Sequence, residues 1–289
     1  MRAAAVQLNS TEDKERNLGT ADRLTRAAAA AGAQLVLLPE KFNLLGTHEG
    51  YLAGAESLDG PTITWAREAA RELRIDLVAG SIVERREGHD KLGNTSVHVG
   101  PDGELRGVYR KIHMFDVTVG GKEYRESTSQ EAGLELVTSE ARGLSLGMSV
   151  CYDLRFPELY RILAIRGARV LTLPAAFTKV TGAAHWDVLV RARAIENQAF
   201  VIAADQIGIH PPDNESFGGS QIVDPWGEVL VRAPDEECFV AADLDLARQE
   251  EVRRSLPSLA NRVPSAYSWP EEAELPPGAM PAPTPTGSA

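Results

Sequence analysis

The strongest constraint on the fold is an alternation of short apolar runs with amphipathic, alanine-rich segments. Arg2 to Leu8 predicts a strand, and helical periodicity follows over Thr11 to Ala31, with Ser10 as its candidate cap. The run AQLVLLPE then indicates a buried strand, and Thr62 to Leu73 indicates another helix. Strands and helices that alternate in this way predict a layered α/β fold.

Two later segments, NTSVHVGPDGELRGVYR and GGSQIVDPWGEVLVRA, resemble each other. Each contains two strand-like runs joined at a Pro-x-Gly turn, which predicts an antiparallel hairpin. The similarity has two interpretations, an internal duplication or the generic chemistry of hairpins. In either case, the added strands favour two facing sheets over a simple doubly wound domain.

Charge and cysteine content narrow the class of protein. The 289 residues carry a net charge of −11 without any block of Lys and Arg, which argues against nucleic acid or a membrane as a partner. Two cysteines in a chain of this length do not make a disulfide framework, and no CxxC motif or Cys/His cluster indicates a metal. The N-terminus MRAAAVQLN does not resemble a signal peptide. We therefore expect a cytoplasmic protein.

The composition changes near Trp269, where Pro, Glu, Gly and Ala become frequent and the chain ends in PPGAMPAPTPTGSA. Such a segment buries too little apolar surface to fix its own conformation. We expect one domain over residues 1–267 and a Pro-rich flexible tail over residues 268–289.

Cys151 is the first candidate for chemistry. It follows the apolar run LSLGMSV and precedes a helix expected over Pro157 to Arg166, so the thiol is predicted at the rim of a sheet. Backbone amides at a helix start can lower the pKa of a thiol and bind an oxyanion. The alternative is a small buried side chain without chemistry. Cys238 lies within a strand pattern and is predicted to be inert filling.

Two charged residues also follow strand-like runs. Glu40 ends AQLVLLPE and Lys111 ends LRGVYRK, whereas no histidine lies beside an obvious carboxylate at a strand end. Because the C-terminal ends of neighbouring strands converge in layered α/β folds, Glu40, Lys111 and Cys151 could meet in one crevice. A carboxylate can accept the thiol proton, and an ammonium can stabilise the charge that develops on a carbonyl oxygen. The alternative is an exposed loop glutamate and a surface lysine.

The motifs around these residues resemble the nitrilase superfamily of carbon-nitrogen hydrolases. LLPEKFN, YRKIHMFD and VCYDLRFPELYR occur in this order, and the resemblance covers residues 2–267. It implies a four-layer αββα sandwich, in which two mixed sheets face each other and helices lie outside. It also implies pairing of copies through helices, so a homodimer or higher homo-oligomer is expected.

The resemblance further implies a catalytic triad, carried here by Glu40, Lys111 and Cys151. A second glutamate is implied between the lysine and the cysteine. Glu126 is preferred to Glu123 for this position because the serine after Glu126 matches the pattern of the family branch described below.

These residues imply hydrolysis of a linear amide in two steps. The thiolate of Cys151, formed by proton transfer to Glu40, attacks the carbonyl carbon and ammonia leaves; water then hydrolyses the thioester. Lys111 and the backbone amide of Tyr152 would stabilise the oxyanion, and Glu126 would orient Lys111. The expected partner is a small-molecule carboxamide, and no metal or organic cofactor is expected.

The segments CYDLRFPE, AHWDVL and RARAIENQ resemble the branch that contains omega-amidases and amidases of deaminated glutathione. The implied substrate is an ω-amide of an α-keto acid, such as α-ketoglutaramate, or a glutathione whose amino group has become a keto group. Hydrolysis of N-carbamoyl amides is the alternative. Nitrile hydrolysis is disfavoured, because Tyr152 and Asp153 follow the cysteine where nitrilases typically carry Trp and Glu.

Four residues are predicted to contact the substrate: Tyr152, Arg155, Phe177 and Thr178. A guanidinium can bind a carboxylate in bidentate fashion, so Arg155 is a candidate for the acid end of the substrate. The alternative for Arg155 is a structural ion pair with Asp153 or Glu158. The segment GIHPPDNESFGG is rich in Pro and Gly and predicts a loop-like rim, with Gly219 where the branch often has histidine.

Overall fold

Two mixed β-sheets form the centre of the computed structural model, which describes residues 1–267. Residues 268–289, with the predicted tail, lie outside the described residues. The strands are β1 Arg2–Gln7, β2 Leu35–Leu37, β3 Asp76–Val78, β4 Ile82–Glu84, β5 Gly93–Val99, β6 Leu105–Arg110, β7 Asp116–Val119, β8 Lys122–Arg125, β9 Thr138–Ala141, β10 Leu144–Met148, β11 Val170–Ala175, β12 Phe200–Asp205, β13 Ile207–His210, β14 Asn214–Phe217, β15 Gln221–Val223, β16 Val229–Arg232 and β17 Cys238–Asp243.

The helices connect and cover these strands. The α-helices are α1 Lys14–Ala30, α2 His48–Gly54, α3 Pro61–Leu73, α4 Pro157–Ile165, α5 Lys179–Asn197 and α6 Leu246–Ser255. Short 3-10 helices span Glu126–Thr128, Cys151–Arg155 and Pro264–Ala266. Within residues 1–267, no helix is long and apolar enough to cross a membrane.

The first sheet has seven strands in the order β17-β1-β2-β3-β5-β4, with β6 paired to β5. Strands β1, β2 and β3 run parallel, and the remaining pairs are antiparallel. Parallel neighbours need a crossover connection, and α1 supplies it between β1 and β2. The hairpin predicted from NTSVHVGPDGELRGVYR is confirmed as β5–β6.

The second sheet has six strands in the order β16-β15-β12-β11-β10-β9. Its central strands β10, β11 and β12 run parallel, and its outer strands are antiparallel to their neighbours. Helix α4 joins β10 to β11, and α5 joins β11 to β12. The hairpin predicted from GGSQIVDPWGEVLVRA is confirmed as β15–β16.

Alternate residues of β1 show how the layers stack. Ala3 and Ala5 pack into a core shared with the strands of the second sheet. Ala4 and Val6 pack into a separate core with side chains of α1 and α3. Since successive residues of a strand face opposite sides, the first sheet lies between helices and the second sheet. Leu163 of α4 packs against the second sheet, so the predicted four-layer αββα sandwich is confirmed.

The first helix begins later than the sequence pattern suggests. It starts at Lys14 and is capped by Asp13, whose carboxylate accepts a hydrogen bond from the Arg16 backbone N–H at 3.0 Å. The predicted cap, Ser10, is wrong. Its hydroxyl is buried and donates to the backbone oxygen of Phe42 at 2.7 Å, so a tertiary contact uses the group that would have capped the helix.

Candidate active site

A cavity of about 390 Å³ lies where the C-terminal ends of several strands meet. Glu40 follows β2, Lys111 follows β6 and Cys151 lies just beyond β10. All three line this cavity together with Glu126. The volume falls within the range of ~300–1,000 Å³ that is typical of ligand pockets. The structure therefore brings together the four residues that the sequence analysis selected for catalysis.

Glu40 is held at the base of the cavity by backbone and side-chain donors. Its residue is only 3% exposed. The backbone N–H of Ala176 donates to Oε2 at 2.9 Å, and Nδ2 of Asn94 donates to Oε1 at 2.7 Å. These donors come from both sheets, because Asn94 lies in β5 and Ala176 follows β11. The carboxylate is thus fixed in orientation before any substrate binds.

Lys111 lies between two carboxylates. Its Nζ is 3.2 Å from Oε1 of Glu40 and 2.7 Å from Oε2 of Glu126, and the side chain is 2% exposed. Burial lowers the pKa of Lys111, but the charges of Glu126, Glu40 and Cys151 outweigh it and raise the pKa well above its usual range. Lys111 is therefore a fixed ammonium in the cavity.

Glu126 begins a 3-10 helix, and its carboxylate accepts hydrogen bonds from four groups. Lys111 Nζ and the backbone N–H of Phe115 donate to Oε2 at 2.7 and 2.9 Å. Lys41 Nζ and Asn94 Nδ2 donate to Oε1 at 3.2 and 3.1 Å. Burial alone would raise the pKa of Glu126. The positive charges of Lys111 and Lys41 outweigh this effect and hold the pKa below its ordinary value. The competing assignment, Glu123, is exposed and pairs with Arg125 instead, so the structure places Glu126 beside Lys111.

Cys151 occupies a strained turn at the end of β10. Its φ angle is 48°, in the left-handed region that non-glycine residues seldom adopt. Its thiol lines the same cavity as the Glu40 carboxylate, and the residue is 8% exposed. Burial, followed by the charge of Glu40, raises the pKa of the thiol well above its usual value, and Lys111 only partly offsets this. The expected lowering by helix-start amides is not seen, because desolvation dominates. The resting group is a neutral thiol.

Asp153 holds the turn around the cysteine. This buried carboxylate accepts hydrogen bonds from the Val150 backbone N–H at 2.8 Å, the Tyr109 hydroxyl at 2.6 Å and His113 Nδ1 at 2.7 Å. Tyr109 and His113 lie two residues before and after Lys111. Asp153 therefore links the turn that carries Cys151 to the segment that carries Lys111. Sequence reasoning considered Asp153 only as an ion-pair partner of Arg155 and gave His113 no role, although both lie within the quoted motifs.

Arg155 makes no ion pair within residues 1–267, so the predicted alternative of a pair with Asp153 or Glu158 is wrong. Asp153 is engaged by the groups named above. The guanidinium instead lies over the Phe177 ring at 5.0 Å and the Tyr152 ring at 5.8 Å, and Nη1 donates to Nδ1 of His185 at 3.2 Å. Arg155 thus presents a cation at the cavity, supported by aromatic faces.

Tyr152, Phe177 and Thr178 also line the cavity, as the sequence analysis expected. Phe177 is 3% exposed, and its backbone N–H donates to Oδ1 of Asp205 at 2.8 Å. Its ring packs against Trp186 with centroids 5.2 Å apart. Thr178 immediately precedes α5, and its hydroxyl pairs with that of Thr181 at 2.8 Å. These contacts give the cavity a rigid aromatic wall.

Lys41 is a cavity residue that sequence reasoning did not assign to the site. It is 7% exposed, has a φ angle of 51°, and lies with its Nζ 4.8 Å from the Tyr51 ring centroid. Burial alone would lower the pKa of Lys41. Electrostatic interactions with Tyr51, Glu126 and Glu40 outweigh this effect, so the net pKa is raised. Its position directly after Glu40 in LLPEKFN was the available signal.

Within residues 1–267, no three His, Cys, Asp or Glu side chains are grouped as ligands for a metal ion. The charged groups of the cavity are instead paired with each other. The arrangement therefore offers a thiol, a carboxylate that can accept its proton, and an ammonium that can stabilise an oxyanion.

Proteins of similar sequence include two kinds of amidase. The family model for carbon-nitrogen hydrolases matches residues 2–254. The omega-amidase NIT2 of Danio rerio is 40% identical over 268 residues, which make up 92% of this chain and 96% of that protein. A deaminated glutathione amidase of Synechocystis sp. is 40% identical over 266 residues, 90% of this chain and 97% of that protein.

Solved structures with the same fold include enzymes with an active-site cysteine. Nit3 of Saccharomyces cerevisiae, a member of branch 10 of the nitrilase superfamily, is 32% identical with a TM-score of 0.81, over 89% of this chain and 94% of that one. A mutant amidase from Nesterenkonia sp., 27% identical with a TM-score of 0.75 over 89% of this chain and 98% of that one, carries acrylamide added to its active-site cysteine.

These matches confirm the family resemblance that the motifs indicated, together with the αββα fold. They also confirm amide hydrolysis as the class of reaction and a cysteine as its nucleophile. This chain belongs to the carbon-nitrogen hydrolase family, and it is an amidase of the nitrilase fold whose chemistry depends on a cysteine.

Proposed function

We propose that the protein hydrolyses the ω-amide of an α-keto acid, with Cys151 as nucleophile, Glu40 as general base and Lys111 as oxyanion donor. The observation that carries this proposal is the cluster of these three side chains in one cavity, where Glu40 lies close enough to Cys151 for its charge to act on the thiol. The two kinds of similar amidase act on ω-amides and on deaminated glutathione according to their names, which supports the substrate class.

In the first step, Glu40 takes the proton of the Cys151 thiol as sulfur attacks the amide carbon. The raised pKa of the thiol makes this proton transfer necessary, because little thiolate exists at neutral pH. Lys111 and the backbone N–H of Tyr152 donate to the oxygen that becomes negative. Glu40 then returns its proton to the leaving nitrogen, the C–N bond breaks, and a thioester remains.

In the second step, Glu40 removes a proton from water, which attacks the thioester. Lys111 again stabilises the tetrahedral oxyanion, and the C–S bond breaks as Glu40 returns the proton to sulfur, which gives the carboxylic acid and the thiol. Glu126 keeps Lys111 in place at 2.7 Å throughout. In both steps, the carboxylate of Glu40 accepts and returns the protons.

The acid end of the substrate would bind at Arg155. The Arg155 guanidinium is stacked on two rings and is not paired with a carboxylate within residues 1–267. A planar cation held in this way matches a carboxylate with two parallel hydrogen bonds. An ω-amide of a keto acid supplies a carboxylate at the end remote from the reacting amide.

The test is turnover of defined amides by the purified protein. We expect ammonia from α-ketoglutaramate and from glutaramate, and cysteinylglycine from deaminated glutathione, in which the amide nitrogen belongs to cysteine. Ammonia with carbon dioxide from N-carbamoyl amino acids would instead support the alternative function. No turnover of any keto-acid amide would contradict the proposal.

Replacing Arg155 by methionine is expected to raise KM for α-ketoglutaramate about 10- to 100-fold, because a charge-assisted hydrogen bond is lost. The KM for propionamide, which has no carboxylate, should change little. The matched control is Arg254→Met, an exposed arginine of α6 outside the cavity. An equal rise in KM for both amides would show that Arg155 does not bind the carboxylate.

We also propose that two copies pair through α4 and α5. Five apolar side chains of these helices are substantially exposed: Ile162, Ile165, Val180, Val188 and Ile195. Exposed apolar side chains on adjacent helices favour a protein interface. Val188→Asp combined with Ile195→Asp should convert a dimer into a monomer in sedimentation velocity, while Leu134→Asp should not. A dimer that survives the double change would contradict this surface.

We propose that the protein is located in the cytoplasm, which is a reducing compartment. Both cysteines of the sequence are free in the structure. The proposed reaction needs the Cys151 thiol to remain reduced, and reducing compartments maintain it in that state.

A further inference from the structure

Lys41 is a charged residue of the catalytic cavity that the proposed reaction steps do not use. Its side chain is 9% exposed, and its Nζ lies 3.2 Å from Oε1 of Glu126. Removing an ammonium from water costs free energy unless charged and hydrogen-bonding partners compensate for it. A buried lysine among the reacting groups is therefore a candidate for a part in the reaction.

The backbone of Lys41 has a conformation that lysine seldom adopts. Its φ angle of 51° lies in the left-handed region. The Lys41 backbone N–H donates to Oγ of Ser81 at 2.9 Å, and its backbone oxygen accepts from the Leu44 N–H at 3.0 Å. Successive side chains of an extended strand point to opposite sides, whereas Glu40 and Lys41 both line the cavity. The left-handed turn thus allows two neighbouring side chains to reach the same cavity.

Two further side chains hold the Lys41 ammonium against Glu126. The Tyr51 ring centroid lies 4.8 Å from Nζ. The buried amide of Gln130 lies 3.2 Å from Lys41 Nζ at one end and 3.1 Å from Glu126 Oε1 at the other. Because an ammonium only donates and a carboxylate only accepts, the amide oxygen faces Lys41 and the amide nitrogen faces Glu126. Gln130 therefore bridges the ion pair.

The ion pair of Lys41 is connected directly to the proposed oxyanion donor. Lys41 binds Oε1 of Glu126, and Lys111 donates to Oε2 of the same carboxylate at 2.7 Å. With an ammonium on each oxygen, the Glu126 carboxylate cannot rotate without breaking a charge-assisted hydrogen bond. A change at Lys41 would therefore reach Lys111 through a single carboxylate.

The charges of this buried cluster balance only when Lys41 is included. The carboxylates of Glu40 and Glu126 carry two negative charges, and the ammonium groups of Lys111 and Lys41 carry two positive charges. Without Lys41, one negative charge would remain uncompensated near the carbonyl oxygen that becomes negative in the reaction. Charges interact more strongly in a site with little water, so this excess would oppose formation of the oxyanion.

The geometry points to Lys41 as a positioning residue for amide hydrolysis, which acts through Glu126 to hold Lys111 in place and to balance the charge around it. This inference rests on the proposed function, in which Lys111 is the oxyanion donor. A positioning residue of this kind affects the transition state and leaves substrate binding nearly unchanged. The effect of removing Lys41 should also depend on the presence of Glu126.

Replacing Lys41 by methionine is expected to lower kcat for α-ketoglutaramate about 10- to 100-fold, as for the loss of a hydrogen bond between charged groups. The KM should stay within about threefold, because the lost interaction stabilises the transition state. Propionamide, which has no carboxylate, should lose kcat to the same extent. A rise in KM confined to α-ketoglutaramate would overturn the inference, because Lys41 would then bind the carboxylate of the substrate.

Two other replacements at the same position separate charge from size. Lys41→Arg keeps the positive charge and should recover most of the rate. Lys41→Gln removes the charge but keeps a donor for Glu126, and it should lose kcat as Lys41→Met does. Methionine, glutamine and arginine are all unbranched at Cβ, as lysine is, so none of them adds new strain at the left-handed φ angle. Full activity of Lys41→Gln would contradict the inference.

A double-mutant cycle tests whether Lys41 acts through Glu126. In Glu126→Gln, the carboxylate that links the two lysines is absent. Adding Lys41→Met to this variant should change kcat/KM by less than about twofold, although the same replacement costs about tenfold or more in the unsubstituted protein. Equal losses in the two backgrounds would show that Lys41 acts independently of Glu126, and they would overturn the inference.

Lys14→Met is the matched control, because Lys14 also pairs with a buried carboxylate, that of Glu56, but lies outside the cavity. It should leave kcat within about twofold of the unsubstituted value, as for a change away from the site. If Lys14→Met lowers kcat as far as Lys41→Met does, the inference is contradicted while the proposed function stands. If the unsubstituted protein turns over no keto-acid amide, the proposed function itself fails.

Discussion

Replacing Cys151 by alanine is expected to lower kcat for amide hydrolysis by roughly 10⁴- to 10⁶-fold, as the loss of a covalent nucleophile does in other hydrolases. The cavity offers no substitute, because Glu40 and Lys111 are held in an ion pair at 3.2 Å. The residual rate would reflect only binding and the oxyanion donors. Release of ammonia from α-ketoglutaramate, measured under saturating substrate, checks this expectation.

Cys238→Ala is the matched control for the nucleophile. Cys238 is the other thiol of the sequence and lies in β17, the edge strand of the first sheet, away from the residues that line the cavity. Its replacement should leave kcat within about twofold of the unsubstituted value, as for a surface change away from the site. If Cys238→Ala lost activity and Cys151→Ala kept it, the assignment of the nucleophile would be wrong.

The layered fold could be predicted from the sequence because its central strands are buried on both faces. Every residue of β11 and of β12 is buried, so both appear as continuous apolar runs. The pairs β7–β8 and β13–β14 could not be predicted in this way. Their residues are mostly half-buried or exposed, so the chain lacks the apolar alternation that normally indicates a strand.

The positions of Glu40, Lys111 and Cys151 at strand ends were visible in the sequence, and the motifs around them identified the family. The electrostatic state of the site was not visible. The thiol pKa is raised because Cys151 is buried beside a carboxylate, and burial depends on residues distant in sequence. The contact of His210 Nδ1 with the backbone oxygen of Ser10 likewise joins residues that lie 200 positions apart. Such features arise only from tertiary packing.

Replacing Glu40 by glutamine is expected to lower kcat by about 10²- to 10⁴-fold, the usual effect of losing a general base. The glutamine keeps the size of the side chain and an oxygen for the Ala176 backbone N–H, which donates to Oε2 at 2.9 Å. It cannot accept the thiol proton. Glu56→Gln is the matched control, since Glu56 is a buried glutamate outside the cavity that pairs with Lys14. It should keep nearly full activity.

The pH dependence of the residual activity separates loss of the base from distortion of the site. Without Glu40, attack requires thiolate that forms by loss of the Cys151 proton to solvent. Burial still raises the pKa of this thiol, so the thiolate fraction at neutral pH is small and grows about tenfold with each pH unit below the pKa. The kcat of Glu40→Gln should therefore rise steeply from neutral to alkaline pH. A residual rate that is independent of pH over this range would show that Glu40 does not act as the base for Cys151.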